Sequence, residues 1–70
     1  MSKKEIGELI QKRRTFLYLK QEDLAEMSQI SPKSIYLLEQ GKGNPSIDTL
    51  NKIFEVLGLE FLIRIKILDV

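Results

Sequence analysis

The sequence contains neither cysteine nor histidine. The absence of thiolates and imidazoles excludes disulfide bridges and the usual zinc sites. It also excludes Ser-His and Cys-His catalytic arrangements. No run of about 20 apolar residues is present, so no transmembrane helix is expected. The N-terminus also lacks the apolar stretch of a signal peptide. We therefore expect a cytoplasmic protein that makes no membrane contact and holds no metal or cofactor.

A buried cluster of acidic residues that could serve catalysis is also missing. The carboxylates of Glu22, Asp23 and Glu26 fall on one short, polar helical segment with no sign of a pocket around them. A perturbed environment is what general acid–base chemistry requires of such groups. We therefore expect that the protein is not an enzyme.

The chain is short and its charge is unevenly distributed. Its 70 residues support one domain with one small core, so oligomerisation is a plausible source of extra stability. The net charge of +1 is made of +4 in residues 1–20, −2 in residues 21–46 and −1 in residues 47–70. The basic first segment can form part of a phosphate-facing surface. From charge alone, a solvated helix face explains it equally well.

Apolar periodicity and capping residues predict four helices, over roughly residues 3–17, 21–27, 32–40 and 47–57. Ser31 and Ser46 are good N-caps, and Pro32 suits the first position of the third helix. Gly41 suits the end of that helix.

The C-terminal segment changes to a period of two. Its apolar residues alternate with Leu62, Arg64, Lys66 and Leu68, which favours a β-strand. A helix remains an alternative, because Phe61, Leu62, Ile65 and Leu68 share a helical face. The chain offers no second strand, so the simplest partner is the same strand of a second copy. The sequence thus predicts a homodimer whose antiparallel strand pair buries Phe61, Ile63, Ile65 and Ile67.

The second and third predicted helices, joined by a tight turn, have the layout of a helix-turn-helix DNA-binding unit. Ala25 suits the crossing of the two helices, and Ile30, Ile35 and Leu38 have the spacing to hold the third helix on the core. Its outer face would then enter the major groove of double-stranded DNA. The residues predicted to face bases are Pro32, Lys33, Tyr36 and Leu37, and those predicted to face phosphates are Lys20, Gln21, Ser34, Lys42, Asn44 and Ser46. A solvated Lys33, a Tyr36 packed on its neighbours and a Gln21 without a ligand are the alternatives.

At these residues the chain resembles the Xre/Cro-type helix-turn-helix regulators over about residues 4–58. The matching positions are Gln21, Leu24, Ala25, Ser31, Ile35, Glu39 and Gly41, together with the run Asn44-Pro45-Ser46. The resemblance implies a mainly α, four-helix, lambda-repressor-like DNA-binding domain in residues 1–58. It also implies a phosphate contact at Gln21, base contacts from the third helix, and an ion pair that ties Arg14 to Glu39.

Four positions depart from that family's pattern. Lys20 stands where a threonine usually caps the second helix, and Pro32 removes a polar base reader. Tyr18 and Gln29 stand where glycines usually end a helix or make the turn. If Gln29 adopts a left-handed conformation, it carries strain of roughly 1–2 kcal/mol.

The tail, residues 59–70, resembles in layout the HipB-like antitoxins, whose C-terminal strand pairs with its copy. Two functional hypotheses follow. The first is a sequence-specific transcriptional regulator, a repressor of its own operon, that binds a pseudo-palindromic operator as a homodimer. The alternative is an antitoxin that neutralises a HipA-like kinase toxin by binding it.

Overall fold

The computed structural model describes residues 1–67 and contains four helices. They are α1 (Lys3–Phe16), α2 (Gln21–Ser28), α3 (Pro32–Glu39) and α4 (Ile47–Leu57). The prediction of a mainly α, four-helix domain is confirmed, and each helix end lies within one residue of its predicted position. Within the described part of the chain, no helix has both the length and the apolar character needed to cross a bilayer.

Side-chain caps explain where three of the helices begin. The hydroxyl of Ser31 accepts a hydrogen bond from the Ser34 backbone N–H at 3.2 Å, and Ser46 accepts from the Thr49 N–H at 3.1 Å. At α1, Ser2 and Glu5 exchange two backbone-to-side-chain bonds of 3.2 Å each, which is a capping box. These bonds satisfy backbone donors that have no partner inside the helix.

Helix α2 begins without such a cap. The side chain of Lys20 has no acceptor for the helix N–H groups, and instead the carboxylate of Asp23 accepts from the Lys20 backbone N–H at 2.8 Å. That carboxylate also lies at the positive end of the helix dipole, where an anion is favoured. The departure at Lys20 is therefore compensated in part by Asp23.

The two short turns that follow α1 and α2 each place a non-glycine residue in the left-handed region. Tyr18 has φ 58° and Gln29 has φ 61° and ψ 33°. Gln29 thus adopts the left-handed conformation for which the sequence raised the question of strain, and each such residue costs about 1–2 kcal/mol relative to ordinary backbone. The domain carries this strain in the turns that set the angles of α2 and α3.

The core lies where the four helices meet. Its buried residues are Ile10 from α1, Leu24 and Ala25 from α2, Ile35 and Leu38 from α3, and Leu50, Ile53, Phe54 and Leu57 from α4. Helix α4 contributes the most because its apolar residues recur at helical spacing along one face. The first residue of that helix, Ile47, lies outside the core with 67% of its surface exposed.

Helices α1 and α3 approach most closely at Gly7. A Cβ atom at this position would stand 2.3 Å from the carbonyl oxygen of Leu38 and 3.0 Å from that of Glu39. No side chain fits such a gap, so the last turn of α3 is held directly against the backbone of α1. Gly7 thus sets the depth at which α3 lies in the domain.

The predicted C-terminal strand is not observed among the residues that the structure describes. Residues 59–67 belong to no strand, and the last residue of the predicted alternation, Leu68, lies outside the described residues. A strand requires a neighbour for its backbone hydrogen bonds, and residues 1–67 supply no second strand.

The tail is anchored only at its beginning. The backbone N–H of Leu59 donates to the carbonyl of Phe54 at 2.8 Å, and the Phe61 ring lies 4.8 Å from the Phe54 ring, centroid to centroid. Between Phe61 and the last described residue the apolar side chains are exposed, with Ile63, Ile65 and Ile67 retaining 90%, 96% and 94% of their accessible surface. The tail therefore presents a row of isoleucines to solvent.

Candidate nucleic-acid interface

Helix α3 lies on the surface with one face packed and one face free. Ile35 and Leu38 are buried and Ile30, at the turn, is half-buried, so these three side chains hold α3 on the core. Ala25 is buried in α2, as expected for a small residue at the crossing of the two helices. The packed face leaves the N-terminal half of α3 open to solvent, which is the geometry that entry into a DNA groove requires.

Three of the four residues predicted to face bases lie on the free face of α3. Pro32 and Lys33 are exposed in its first turn, and Tyr36 is 52% exposed one turn later. Leu37 differs from the prediction, because it is half-buried and its side chain lines a groove beside α3. The free face therefore offers one ammonium, one phenol and one rigid apolar ring to a ligand.

The groove beside α3 brings together most of the residues predicted to face phosphates. It has a volume of about 340 Å³ and lies between α3, the loop after it and the start of α4. Ser34, Lys42, Asn44 and Ser46 line it together. Lys42 is exposed, and its backbone N–H donates to the carbonyl of Leu37 at 2.9 Å, which fixes the loop against the end of α3.

The hydroxyls in this groove already have partners, although Ser34 keeps its own proton free. Ser31 Oγ donates to Ser34 Oγ at 2.8 Å, and Ser46 Oγ donates to Thr49 Oγ1 at 3.1 Å. Ser34 Oγ accepts in that bond, so it can still donate to an anion. The Ser46 hydroxyl is already used to cap α4, so this end of the groove offers the remaining backbone N–H groups of the first turn of α4.

Lys20 and Gln21 lie apart from the groove, at the start of α2. Lys20 is exposed, whereas Gln21 is half-buried and donates through Nε2 to Glu39 Oε1 at 3.0 Å. One of the two amide protons of Gln21 is used in this way, and the second remains for another acceptor. Gln21 thus links the start of α2 to the end of α3.

Glu39 is the centre of a buried network at the end of α3. Arg14 binds it through two parallel bonds, Nε to Oε2 at 2.7 Å and Nη2 to Oε1 at 2.9 Å, and Arg14 Nη1 donates to the Leu19 carbonyl at 2.9 Å. The Glu39 side chain keeps only 1% of its surface and Arg14 keeps 11%. The hydrogen bond to Glu39 raises the pKa of Arg14 above its ordinary value against the opposing effect of burial. The fork therefore holds α3 to α1.

Arg13 has a structural role of its own. Its Nε donates to the carbonyl of Leu57 at 2.7 Å, and its guanidinium lies 5.1 Å from the centroid of the Phe16 ring. The carbonyl belongs to the last turn of α4, where a cation complements the helix dipole. Arg13 thereby ties α1 to the base of the tail.

The basic residues of segment 1–20 fall into two groups, inward-pointing arginines and exposed lysines. Arg13 and Arg14 point inward, whereas the four lysines of the segment, Lys3, Lys4, Lys12 and Lys20, are exposed. The backbone of Lys4 packs on Gly41, where an added Cβ would stand 3.0 Å from Lys4 Cα. This contact places the start of α1 next to the loop that carries Lys42, so the two regions form one basic surface.

Three features that shape the site were not predicted from the sequence. They are the close contact at Gly7, the hydrogen bond from Gln21 to Glu39, and the bond from Arg13 to the end of α4. A glycine inside a helical pattern costs about 1 kcal/mol relative to alanine, which is the signal that could have pointed to Gly7. The pairing of Gln21 with Glu39 and of Arg13 with Leu57 depends on helix angles, for which the sequence carries no local signal.

The helix-turn-helix family profile matches residues 9–63, which is most of the chain. A curated relative from Methanothermobacter thermautotrophicus, named as an HTH-type transcriptional regulator, is 39% identical over 61 residues, covering 87% of this chain and 88% of that protein. An HTH-type transcriptional regulatory protein of Methanococcus maripaludis is 36% identical over 63 residues, covering 90% of this chain. The chain spans only 19% of the length of that second relative.

Two solved structures share the fold. The restriction-modification controller protein C.AhdI from Aeromonas hydrophila superposes with a TM-score of 0.79 at 28% identity, covering 83% of this chain and 88% of that one. The clp gene regulator ClgR from Corynebacterium glutamicum gives a TM-score of 0.77 at 26% identity, covering 81% of this chain and 61% of that one. The protein therefore belongs to the helix-turn-helix family.

Proposed function

We propose that the protein is a sequence-specific DNA-binding transcriptional regulator that acts as a homodimer on a pseudo-palindromic operator, as a repressor of its own operon. The observation that carries this proposal is the free face of α3, which presents Lys33 and Tyr36 beside a groove lined by Lys42 and Asn44. The relatives named as transcriptional regulators support the same class.

Base reading rests on few polar groups. The Lys33 ammonium donates to guanine O6 or N7 in the major groove, and Tyr36 can touch a base edge or a thymine methyl. Pro32 offers only an apolar surface. Because so few donors face the bases, phosphate contacts carry a large share of the affinity and make binding salt-dependent.

Phosphate contacts hold the protein in register from two sides of α3. On one side lie Lys42, Asn44, Ser34 and the first turn of α4, and on the other lie Lys20 and the free amide proton of Gln21. The N-terminus of α2 adds uncapped N–H groups, since the Lys20 side chain does not accept from them. Such contacts orient α3 without reading sequence.

A homodimer provides two copies of α3 for one operator. Successive major-groove faces are about 34–36 Å apart, so half-sites in a pseudo-palindrome need two recognition helices related by a two-fold axis. Exposed Ile63, Ile65 and Ile67 supply apolar surface for the association of two chains. Burial of such side chains contributes about 1.5–3 kcal/mol each as an upper estimate.

Fluorescence anisotropy tests the proposal with duplexes tiled across the promoter of the protein's own gene, at two salt concentrations and with competitor DNA. We expect saturable binding to one tile that survives the competitor. Lys33→Ala should weaken binding to that tile by about 1–3 kcal/mol and relax discrimination at one base pair. Lys52→Ala, on α4 and outside the groove, is the matched control and should bind normally. Equal, salt-sensitive binding to every tile would refute the specific autoregulator.

The antitoxin hypothesis remains as the second candidate, and the exposed isoleucines of the tail are the observation that favours it. In that case the tail would bind a HipA-like kinase, and removal of the tail would abolish partner binding. A pull-down against a purified kinase of that type, with a tail-deleted chain beside the full chain, distinguishes the two. The relatives reported above are named as regulators, so we place DNA binding first.

A further inference from the structure

The tail begins with its odd-numbered side chains turned toward the domain. Leu59 is half-buried and packs on the core, and the Phe61 ring contacts the Phe54 ring. Extended backbone alternates its side chains between two faces. Continued in that conformation, the chain would place Ile63, Ile65 and Ile67 on the face of Phe61, with Leu62, Arg64 and Lys66 on the other.

Pairing of two such tails about a two-fold axis is restricted by these faces. In an antiparallel pair, directly opposite residues point to the same face. Odd-numbered residues must therefore face odd-numbered residues, or each isoleucine would share a face with the charged residues of the other tail. A shift of one residue exchanges the faces completely, so only registers in which one residue faces its own copy remain.

Like charges exclude the registers centred on residues 64, 65 and 66. If Arg64 faced its own copy, two guanidiniums would lie directly opposite each other. Centring on Ile65 sets Arg64 opposite Lys66 twice, and centring on Lys66 sets two ammoniums opposite each other. Directly opposite like charges destabilise a strand pair.

A register centred on Leu62 conflicts with the structure instead. It would oppose Lys66 to Gly58, whose φ of 71° is the left-handed end of α4. It would also oppose Ile67 to Leu57, the last residue of that helix, so Ile67 would have no strand partner.

We propose that residues 59–67 of two copies pair antiparallel with Ile63 opposite Ile63, and this inference rests on the homodimer of the proposed function. In this register Glu60 faces Lys66 at both ends of the pair, on the outer face. Phe61 faces Ile65 on the inner face. All nine residues from 59 to 67 find a partner, and the two Glu60–Lys66 pairs of opposite charge assist the pairing.

The register also fills a groove on each protomer. An open groove of about 860 Å³ lies between α4 and the start of the tail, and its lining includes Ile47, Glu55, Leu59 and Phe61. Because Phe61 faces Ile65 and Leu59 faces Ile67, two isoleucines of the second copy lie at the edge of this groove. The side chains that are fully exposed in one chain therefore extend the core of the other.

Single cysteines test the register, and the native chain contains none to interfere. Leu62→Cys, Ile63→Cys, Arg64→Cys and Ile65→Cys are oxidised one at a time and run on a non-reducing gel, with Gln11→Cys on α1 as a surface control. Opposite Cα atoms in an antiparallel pair lie about 4.5–5.5 Å apart, within the range of a disulfide. We expect Ile63→Cys to form a covalent dimer fastest. A faster dimer at position 62, 64 or 65 would overturn the register.

Failure of the dimer itself is distinguished by light scattering on the unmodified chain. A monomer, with no position that crosslinks above the Gln11→Cys control, would overturn the homodimer and the register together. If the chain is a dimer but none of the four tail cysteines crosslinks faster than that control, the tail pairing is refuted and the homodimer is not. Neither result depends on DNA, so the proposed DNA binding is tested separately.

Charge reversal gives a second measurement of the same register. Glu60→Lys alone and Lys66→Glu alone each oppose like charges and should weaken dimerisation by roughly fivefold to tenfold. The double variant restores opposite charges and should recover the native dissociation constant. Additive weakening in the double variant would contradict the pairing of Glu60 with Lys66. Sedimentation equilibrium measures all four proteins at one ionic strength.

Discussion

Single residues show most clearly where this chain departs from low-strain backbone. Tyr18 and Gln29 occupy the left-handed region, which glycine adopts without a steric penalty. The Tyr18 side chain is 94% exposed, so its packing gives little in return for the strain. These two turns are therefore less stable than the same turns would be with glycine at positions 18 and 29.

Glycine at position 29 should stabilise the protein. We expect Gln29→Gly to raise the free energy of unfolding by about 0.5–1 kcal/mol, because relief of strain exceeds the added entropy of the unfolded chain. Gln40→Gly is the matched control, since Gln40 has φ −82° and should lose stability on the same change. Urea unfolding followed by circular dichroism measures both. Equal destabilisation by the two changes would contradict the strain at position 29.

At this scale, caps and turns could be predicted from the sequence because their causes are local. Ser31 and Ser46 bond to N–H groups three residues away, and Gly41 has the positive φ of a helix end. The half-buried position of Leu37 and the second bond of Glu39 to Gln21 could not, because both depend on the approach of separate helices.

Among the elements, α3 is held to α1 by a close backbone contact and an ion pair in addition to the shared apolar core. Gly7 brings the backbones together and the Arg14–Glu39 fork lies at the same end of α3. The periodicity of α1 predicts its apolar face. It does not predict that α3 ends against a glycine.

Alanine at Gly7 should separate these two helices. A methyl group there overlaps the Leu38 carbonyl, so we expect a loss of about 1–3 kcal/mol in unfolding free energy despite the better helix propensity of alanine. Glu8→Ala, exposed on the same helix, should change stability little. Thermal melts of the two variants make the comparison. Unchanged stability in Gly7→Ala would show that the helices move apart freely.

Removal of one partner of the ion pair should be more costly than removal of both. Glu39→Met leaves the Arg14 charge without its partner in a largely buried site and should lose about 3–5 kcal/mol, whereas Arg14→Met combined with Glu39→Met should recover part of that loss. A double-mutant cycle in urea isolates the coupling. Coupling near zero would place the pair among exposed ion pairs of little value.

In the described part of the molecule, the helical domain buries its apolar side chains in a core, whereas the tail leaves its apolar side chains exposed. The nine core residues close the four-helix unit, whereas Ile63, Ile65 and Ile67 remain exposed beyond it. The alternation of the tail is visible in the sequence, but its structure depends on a neighbour that residues 1–67 do not contain. Patterning alone therefore predicted the alternation of these apolar residues and could not establish the strand.

Deletion of residues 60–70 should leave the helical domain folded and monomeric. The core lies before the tail, so the circular-dichroism spectrum per helical residue should persist, although loss of the Phe61–Phe54 contact will lower the melting temperature. Light scattering should report one chain, and operator affinity should fall because each half-site then binds independently. An unchanged dimer would show that another surface joins the two copies.

The burial of the Arg14–Glu39 fork has a consequence for how added salt acts on this protein. At physiological ionic strength, mobile ions largely screen interactions between exposed charges more than about 8–10 Å apart, but they screen a buried pair much less. The side chains of Glu39 and Arg14 keep only 1% and 11% of their surface exposed. The lysines around α3 are exposed and will respond fully. Raising the ionic strength should therefore detach the protein from a polyanion while α3 keeps its place. The slope of the logarithm of the binding constant against the logarithm of the salt concentration then reports the number of phosphate contacts, with no contribution from unfolding.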